Sequence, residues 1–527
     1  MFTFIKNLFS SNHEKLGRRD WISLGVAGTV FTAISLGNIT RWSVWFDEAF
    51  GIYLIRFNYL DVAAYTAADV HPPMYYWLLK FWSSLFGTGE LALRSLSLVG
   101  MLVAIAFVYL TIRKYFKWDV SVWALVLLSV SPLLIRYSEE ARMYGVVAAI
   151  VAAATYVFVD LLEKPTTRKR VLYAVLIAIG MWTHYFTALF WLAHAAYRFI
   201  VIRERSSHDV ARRYFSKEWI MIYGGAILLY LPWVPSLIRQ VTSVQGGGFW
   251  IPAATVGTPF GFVTDIFLYR EVSEATGWFA LIGLLLVALI IGAVWYAYKH
   301  LKGEQKRLFN VLIVMAAVPV VLLILASLPP LRPAFIDRYI IPSAIYLLAA
   351  LGVVFGYLIT HKRTRTIGLM AAGFVVLVQL LGIVYVYQIG NFNKISHDTL
   401  PIRQTMEAAQ ALAKPGEPFV AKTVWRFYET HYYQTSNNLV YIQAEDNLTW
   451  GSYDMVRYNN YQKVQDVAAF AKLHNGIIWY LADWQNYGDP ELPPTGEWEV
   501  LQEVNIPDVP ETQSTLRAVQ LRLINEG

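Results

Sequence analysis

Apolar stretches long enough to cross a lipid bilayer recur along the first 390 residues, and they constrain the fold more than any other feature of the chain. A helix of about 20 apolar residues spans the hydrocarbon core of a bilayer, which is about 30 Å thick. Hydrophobic residues make up 56% of the 527-residue chain, and the mean hydropathy of +0.42 is too high for a soluble globular protein. The sequence therefore predicts an α-helical polytopic membrane protein.

The apolar stretches predict about 11 transmembrane helices. The first stretch follows a short basic segment and lacks a small-residue cleavage site, so we interpret it as an uncleaved signal anchor with residues 1–20 in the cytoplasm. The predicted spans are residues 21–39, 91–112, 120–135, 141–162, 171–181, 186–201, 219–234, 277–298, 308–328, 336–358 and 366–388.

The distribution of basic residues agrees with this topology. The predicted cytoplasmic segments and the span ends next to them hold 24 Lys and Arg residues, whereas the outer loops and the span ends next to them hold 10. Residues 72–86 are apolar but too short to cross the core, and they begin with two prolines and contain Lys80. We predict that they form an interfacial helix on the outer face, because a further crossing here would place every later basic cluster outside.

The composition changes after residue 390. Residues 391–527 carry 10 Lys and Arg against 17 Asp and Glu. Helix-like patterns at 403–413 and 464–473 alternate with short apolar strands at 419–424, 439–443, 476–482, 498–504 and 516–523. This pattern predicts an extracytoplasmic α/β domain at 391–527, after a transmembrane domain at 21–390 whose first outer loop covers 40–90. The Tyr-rich segment 428–461 is either a carbohydrate-stacking surface or an aromatic core.

The composition also excludes some classes of function. The chain has no cysteine, so it has neither a disulfide framework nor a thiolate nucleophile or metal ligand. Its net charge of +7 comes from the predicted cytoplasmic loops and does not indicate nucleic-acid binding. The three glycines at 246–248 lack the lysine and the preceding strand of a phosphate-binding loop.

Polar motifs are concentrated at the predicted outer ends of the spans. Asp47 and Glu48 follow the first span, between aromatic residues. A charged side chain costs about 2.5–3.5 kcal/mol at the centre of a membrane helix and less near the interface, so charges there usually have a function. We therefore expect separate segments to converge on one external cavity. The other residues in these motifs are Asp69, His71, Glu139, Glu140, Arg142, Tyr144, His184, Asp337, Arg338 and Tyr339.

The same residues also have structural interpretations, which the sequence leaves open. Asp47 would cap a helix, with Glu48 in its first turn. The others would start helices, form turns or snorkel: His71 before two prolines, Glu139 to Arg142 at the start of a span, His184 in a tight turn, Asp337 as a cap and Arg338 at the membrane boundary. Separate capping roles do not, however, predict this combination of motifs.

Taken together, the motifs resemble the GT-C glycosyltransferases. The resemblance covers about residues 20–390 and is nearest to the dolichyl-phosphate-mannose protein mannosyltransferase-like group, which includes the aminoarabinose transferases acting on lipid A. The motifs that carry it are residues 45–49, 71–76 with Phe86-Gly87 and Leu93-Arg94, 140–144, 183–185 and 337–339. It implies a polyprenyl-phosphate-linked donor of mannose or a related sugar, and a glycan, lipid or protein acceptor on the outer face of the plasma (inner) membrane.

The resemblance also implies roles for individual residues. Asp47 would be the catalytic base, with Glu48 as its neighbour. The chemistry agrees, because a carboxylate that takes the proton of a weakly nucleophilic hydroxyl contributes about 10²–10⁴-fold to the rate. A single base and an in-line displacement imply inversion at the anomeric carbon. Arg142 and Arg338, with Arg94 third, are our choices for the donor phosphate, since a guanidinium binds phosphate in a bidentate manner.

A further set of residues would support the substrate: Asp69, His71, Glu140, Tyr144, His184 and Tyr339. Four of these, namely Asp69, His71, Glu140 and His184, offer oxygen and nitrogen ligands for a divalent cation such as Mg²⁺ or Mn²⁺. The sequence alone leaves open whether the protein uses a metal.

Two other classes of function remain open at this point. A transporter or flippase of lipid-linked sugars would also have outer cavities and arginines, but the spans show few polar residues and no internal repeat. A non-catalytic glycan-binding membrane protein would depend on the C-terminal domain. In that case, deletion of residues 391–527 would abolish function while Asp47 would be dispensable.

Overall fold

The computed structural model describes residues 16–205, 209–247, 251, 253–269, 277–388, 401–444, 453–457, 462–484, 491–506 and 515–525. Before residue 389 the described chain is helical, and after residue 400 it contains a six-stranded sheet. This confirms the predicted fold class, a helical polytopic membrane protein with a C-terminal α/β region.

Every predicted span corresponds to helical structure. These helices are Arg18–Leu36, Glu90–Arg113, Trp118–Ser129 with Pro132–Ser138, Tyr144–Glu163, Thr167–Thr183, Thr187–Arg205, Lys217–Tyr230 continued by Val234–Gly247, Gly277–His300, Gly303–Leu325, Ile341–Thr360 and Arg365–Gln388. Shorter helices in the same part of the chain are Phe46–Leu54, Tyr59–Ala68, Met74–Phe86, Val210–Tyr214 and Thr258–Leu268.

Not all predicted spans are equally suited to cross a membrane. In the described ranges, 7 helices are long and apolar enough to do so, and an eighth crossing results if Trp118–Ser129 and Pro132–Ser138, which meet at 58°, form one broken span. The bend has a local cause, because Pro132 disfavours a helical conformation at the preceding residue. The chain is thus a multi-pass membrane protein.

Three predicted spans lie outside this set, so the number of eleven stays a prediction. Thr167–Thr183 has only 17 residues. Arg18–Leu36 begins with three charged residues, and Thr187–Arg205 ends with three. Charged ends shorten the apolar part of a helix, although long basic side chains can still reach the interface.

Glycines allow two of the long helices to cross with their backbones in contact. A Cβ atom at Gly145 would lie 2.2 Å from the carbonyl oxygen of Ser97, and one at Gly100 would lie 2.6 Å from the carbonyl carbon of Gly145. Small residues permit such close approach between membrane helices. At this crossing, Ser97 Oγ donates a hydrogen bond of 2.7 Å to the carbonyl oxygen of Arg142. The crossing therefore fixes the backbone of Arg142 against the helix Glu90–Arg113.

The C-terminal region contains a mixed six-stranded sheet. Its strands are β1 Phe419–Ala421, β2 Val440–Gln443, β3 Lys463–Val464, β4 Ile477–Trp484, β5 Glu497–Asn505 and β6 Thr515–Asn525. Their order in the sheet is β3-β2-β1-β4-β6-β5. Strand β1 pairs in parallel with β2 and β4, whereas β6 pairs in antiparallel fashion with β4 and β5. The helices of this region are Ile402–Leu412, Val424–Tyr432, Asp454–Arg457 and Val467–Leu473.

The sequence predicted five of these strands and two of the helices. It missed β3, because this strand has only two residues and lies where we predicted the start of a helix at 464. The apolar alternation that predicts a strand needs about four residues to be recognised.

None of the described tyrosines of segment 428–461 is exposed. Tyr428 and Tyr453 are buried, and Tyr432, Tyr433 and Tyr441 are half-buried. Tyr458 and Tyr461 lie outside the described residues. A surface that stacks on carbohydrate needs exposed ring faces, so the described tyrosines favour the aromatic-core interpretation.

The described chain forms two compact units. The helical unit contains residues 16–37 and 71–75 and the described residues from 94 to 388. The loop–tail unit contains residues 38–70 and 76–93 and the described residues after 400. The loop–tail unit therefore combines much of the predicted first outer loop with the C-terminal sheet. The predicted domain boundary at residue 390 assigned these two parts to different domains. The predicted domain limits stay a prediction.

Candidate active site

The two adjacent carboxylates lie at the start of the helix Phe46–Leu54, which we call the acidic helix. Trp45 is its N-cap, so Asp47 is the second residue of the helix and Glu48 the third. Glu48 is buried, and its Oε2 accepts a long hydrogen bond of 3.4 Å from the backbone N–H of Trp45. Glu48 therefore closes the first turn, and the alternative in which Asp47 caps the helix is wrong. Asp47 is half-buried.

Aromatic rings of the C-terminal region surround the acidic helix within the loop–tail unit. The ring of Phe46 lies 4.8 Å from that of Trp425 and 6.3 Å from that of Tyr428, and Phe50 lies 6.1 Å from Tyr428. The contacts of Phe46 with Trp425 and of Phe50 with Tyr428 are edge-to-face, a geometry that adds to the burial of apolar area. The acidic helix is thus packed on the helix Val424–Tyr432.

Asp69 lies near the same tyrosine. It is half-buried at the C-terminal end of the helix Tyr59–Ala68. Burial raises the pKa of Tyr428 well above its ordinary value, and the neighbouring Tyr53, Asp69 and Asp454 raise it further. Tyr428 is therefore a neutral phenol at physiological pH, and it is a shared neighbour of Asp69 and the acidic helix.

A second set of predicted residues surrounds His184 in the helical unit. His184 is buried and directly follows the helix Thr167–Thr183. Its ring lies 6.3 Å from that of His71, 6.2 Å from that of Tyr144 and 5.1 Å from that of Tyr339. Phe186 stacks on Tyr339 with 4.5 Å between the ring centres. We call this group, with Arg142 and Arg338, the His184 cluster.

The charge state of His184 follows from its surroundings. Burial lowers the pKa of His184 well below its ordinary value, and electrostatic interactions with His71, Arg142 and Arg338 lower it further. The imidazole is therefore neutral at physiological pH. It can donate one hydrogen bond and accept another, but it does not add a positive charge to the cluster.

Arg338 belongs to a short 3-10 turn, Asp337–Ile340, that is fixed by its own acidic residue. Asp337 accepts a hydrogen bond of 2.8 Å from the backbone N–H of Arg338 and bonds of 3.1 Å from the hydroxyl of Tyr137. The guanidinium carbon of Arg338 lies 5.8 Å from the ring centre of Tyr144 and 6.0 Å from that of Tyr339. Cation–π attraction at these distances helps to hold a guanidinium in place.

Arg142 and Arg94 are both buried, at 2% and 4% exposure. Both lie in the helical unit, close in sequence to the glycine crossing described above. Each guanidinium carries N–H donors in a planar arrangement that matches the oxygens of an anionic group such as a phosphate.

The carboxylate of Glu140 is paired with an arginine side chain. It forms a buried ion pair of 2.6 Å with Arg136, four residues earlier. Sequence analysis missed Arg136 and had no signal for it, because Glu140 follows the end of the helix Pro132–Ser138 and a spacing of four residues indicates a pair only within one continuous helix. It also missed Tyr137, which lies next to Arg136 and contacts Asp337.

The four candidate metal ligands do not form a metal site. Across the ranges that the structure describes, no group of three or more His, Cys, Asp or Glu side chains is arranged to hold an ion. The predicted ligand set stays a prediction, and no step proposed below uses a metal.

The predicted residues thus form two groups, each within one unit. Asp47, Glu48 and Asp69 lie in the loop–tail unit. The helical unit contains His71, Arg94, Glu140, Arg142, Tyr144, His184, Arg338 and Tyr339. Their predicted convergence on one cavity stays a prediction. By itself, the His184 cluster offers guanidinium groups, aromatic faces and a neutral imidazole, a combination suited to an anionic ligand that carries a sugar.

Comparisons with known proteins agree with the resemblance predicted from the sequence. The sequence model of the family described as dolichyl-phosphate-mannose-protein mannosyltransferase matches residues 70–238, which is less than half of the chain. No curated protein sequence matches the chain.

Two solved structures show the fold. The chain is similar to the apo structure of ArnT from Cupriavidus metallidurans, with a TM-score of 0.59, 12% sequence identity, and coverage of 94% of this chain and 97% of that chain. It is also similar to ArnT from the same organism bound to undecaprenyl phosphate, with a TM-score of 0.56, 12% identity, and coverage of 95% of this chain and 98% of that chain. The chain therefore has the GT-C fold that its motifs predicted.

Proposed function

We propose that this protein is an inverting glycosyltransferase that moves a sugar, mannose or a related one, from a polyprenyl-phosphate donor to an acceptor on the outer face of the membrane. The observation that carries the proposal is a pair of buried arginines, Arg142 and Arg338, within a GT-C fold. Both arginines interact electrostatically with the same neutral histidine, His184. The structure of ArnT with undecaprenyl phosphate supports the choice of donor.

The arginines would act on the leaving group. When the bond between the anomeric carbon and the phosphate oxygen breaks, the phosphate leaves with the bonding electrons and gains negative charge. Guanidinium groups that are already in place stabilise this charge without reorganisation, and interactions that strengthen in the transition state increase kcat. We assign this role to Arg142 and Arg338, with Arg94 as a third candidate.

Asp47 would act on the acceptor. Its carboxylate would take the proton of the acceptor hydroxyl while the oxygen attacks the anomeric carbon from the face opposite the phosphate, which inverts that carbon. The contact of Glu48 with the backbone of Trp45 supports this division of roles, since Glu48 is occupied in closing the helix. We assign a substrate-supporting role to Asp69, His71, Tyr144, His184 and Tyr339.

The proposed location is the plasma (inner) membrane, with the catalytic residues and the C-terminal region on the extracytoplasmic side. The acceptor would be a glycan, a lipid or a protein of the cell envelope. The positive-inside distribution of Lys and Arg in the sequence supports this orientation.

Analysis of lipid-linked intermediates tests the proposal most simply. In cells that lack this protein, we expect its polyprenyl-phosphate sugar to accumulate, as measured by mass spectrometry of extracted lipids, and expression of the wild-type chain should return it to the normal amount. If no lipid-linked sugar accumulates and the purified protein transfers none of the lipid-linked sugars of these cells, the proposal is wrong.

A further inference from the structure

The acidic helix has little capacity to fix its own position. It has only nine residues, Phe46–Leu54, and isolated helices shorter than about 12–15 residues are marginal in water. The indole of Trp45, at its N-cap, has no acceptor oxygen for the first backbone N–H groups. Contacts with other parts of the loop–tail unit must therefore determine where Asp47 lies.

Many of these contacts come from the C-terminal region and act just before the helix, on residues 40–44, which we call the approach segment. Arg403 Nη2 donates hydrogen bonds to the carbonyl oxygens of Thr40 at 3.1 Å and Arg41 at 3.0 Å. The backbone N–H of Arg403 donates to Ser43 Oγ at 3.1 Å, and that hydroxyl donates to Gln404 Oε1 at 3.3 Å. Two consecutive residues of the C-terminal region thus bind three residues of the approach segment.

Tyr433 binds the last residue of the approach segment. The backbone N–H of Val44 donates to the Tyr433 hydroxyl at 2.7 Å, and this hydroxyl donates to Glu90 Oε1 at 2.5 Å. The other oxygen of Glu90 forms an ion pair of 2.8 Å with Arg403 Nη1. Glu90 therefore fixes the side chains of Tyr433 and Arg403 relative to each other. Charge-assisted hydrogen bonds of this kind are stronger than neutral ones.

Residues within and just after the acidic helix also form hydrogen bonds with the C-terminal region. The hydroxyl of Tyr53 donates to Gln462 Oε1 at 2.7 Å. The guanidinium of Arg56, just after the helix, lies 2.7 Å from His431 Nε2. Burial, together with the charge of Arg56, lowers the pKa of His431 to about 3, so the neutral ring accepts this bond from Arg56. Both ends of the acidic helix are thus bound by residues of the C-terminal region.

We propose that the C-terminal region positions the catalytic base, and that Tyr433 and Arg403 are the positioning residues that do so through the approach segment. The inference rests on the proposed function, because it assigns these residues a role in the action of Asp47. Neither residue needs to touch the substrate. A displacement of about 1 Å in a reacting group can lower a rate by about 10²-fold, so loss of these bonds should act on catalysis while the fold persists.

The test combines hydrogen exchange with kinetics in the full-length protein. Tyr433→Phe removes only the hydroxyl, so the Val44 amide loses its acceptor while the ring remains. We expect faster amide exchange in peptides that cover residues 40–54. We also expect a kcat that is lower by about tenfold to a hundredfold, with an unchanged KM for the lipid-linked donor. Arg403→Gln, which keeps a polar side chain but loses the bonds to both carbonyl oxygens and the ion pair, should change both quantities in the same direction.

Tyr480→Phe is the matched control, because it also removes one tyrosine hydroxyl, which donates to Gln443 Oε1 at 2.6 Å in the sheet. It should change neither the exchange at 40–54 nor kcat. Unchanged exchange at 40–54 in both Tyr433→Phe and Arg403→Gln would overturn the proposal, as would faster exchange with unchanged kcat. If the wild-type protein shows no transfer with any donor, the proposed function fails. The hydrogen-exchange result then still stands by itself: faster exchange at 40–54 in the two variants shows that the C-terminal region holds the approach segment, and unchanged exchange shows that it does not.

Discussion

At the scale of single residues, burial distinguishes the two adjacent carboxylates of the acidic helix. Glu48 is buried and bound to the backbone of Trp45, whereas Asp47 is half-buried at the second position of the helix. His184, which looked like a turn residue as much as a ligand, is buried against His71, Tyr144 and Tyr339. Sequence position does not reveal such differences, because they depend on which segments pack together.

Arg338 allows a prediction about the leaving group. Arg338→Gln should lower kcat by about 10²-fold, since removal of one donor from a preorganised anion site typically costs about 10²–10³-fold. Arg338→Lys should lower it less, because the charge remains while the bidentate geometry is lost. Steady-state transfer kinetics with a lipid-linked sugar measure both.

Arg332→Gln is a suitable control for this series, because Arg332 is exposed and lies in the segment before the same turn. Its kinetics should match those of the wild type. Wild-type kinetics in Arg338→Gln would remove Arg338 from the phosphate site.

At the scale of secondary structure, apolar periodicity predicts where helices occur better than it predicts how they pack. Every predicted span is helical, and the five predicted strands and two helices of the tail are present. The break at Pro132, the two-residue strand β3 and the grouping of residues 38–70 with the tail depend on tertiary contacts that a hydropathy pattern does not encode.

Polar residues within the spans give a second example of this limit. They are few in the sequence, but four of them form a buried hydrogen-bonded group from four helices, namely His194, Thr155, Tyr346 and Tyr173. Thr155 Oγ1 donates to the carbonyl of Val151 at 2.8 Å, so it accepts from Tyr346 at 2.6 Å and from His194 Nε2 at 3.0 Å. His194 Nδ1 then accepts from Tyr173 at 3.0 Å. These bonds satisfy both ring nitrogens, which is the arrangement of a structural link between helices.

The crossing at Gly145 gives a prediction at this scale. Gly145→Ala places a Cβ atom 2.2 Å from the carbonyl oxygen of Ser97, so the two helices must separate. Overpacking of this kind costs about 1–3 kcal/mol, and it should also lower the transfer rate because the backbone of Arg142 is held at the crossing. Thermal unfolding in detergent and the transfer assay measure the two effects.

Gly373→Ala is the matched control, since a Cβ atom at Gly373 meets nothing within 4 Å. It should leave the rate unchanged, and its unfolding temperature should be equal or slightly higher because alanine has the greater helix propensity. If Gly145→Ala behaves like Gly373→Ala, the close crossing does not exist in the protein.

At the scale of the whole molecule, the fold followed from the sequence more fully than the site did. Length, hydropathy and the distribution of Lys and Arg predicted a polytopic membrane protein with a C-terminal α/β region, and the similarity to ArnT at only 12% identity confirms this fold. The role of Asp69, His71, Glu140 and His184 as metal ligands stays a prediction, because their spacing along the chain carries no information about their distances in space and no metal-ligand group occurs among the described residues.

The orientation in the membrane is a property of the whole molecule and can be tested without an activity assay. The chain has no cysteine, so single cysteines can be introduced at exposed positions. Leu60→Cys and Leu473→Cys, at sites that are each 82% exposed, should react with a membrane-impermeant maleimide in intact spheroplasts.

Arg168→Cys, at an exposed position in a predicted cytoplasmic loop, should react only after permeabilisation. The reverse pattern would place the acidic helix and the C-terminal region in the cytoplasm. It would exclude transfer on the outer face.

The most direct test of the central claim is the rate of sugar transfer by Asp47→Asn from a labelled lipid-linked donor, measured under single-turnover conditions. The substitution keeps the size of the side chain but removes its ability to take a proton, so the rate should fall by about 10²–10⁴-fold. Asp61→Asn, in the neighbouring helix Tyr59–Ala68, should transfer at the wild-type rate. A wild-type rate in Asp47→Asn would show that Asp47 is not the base.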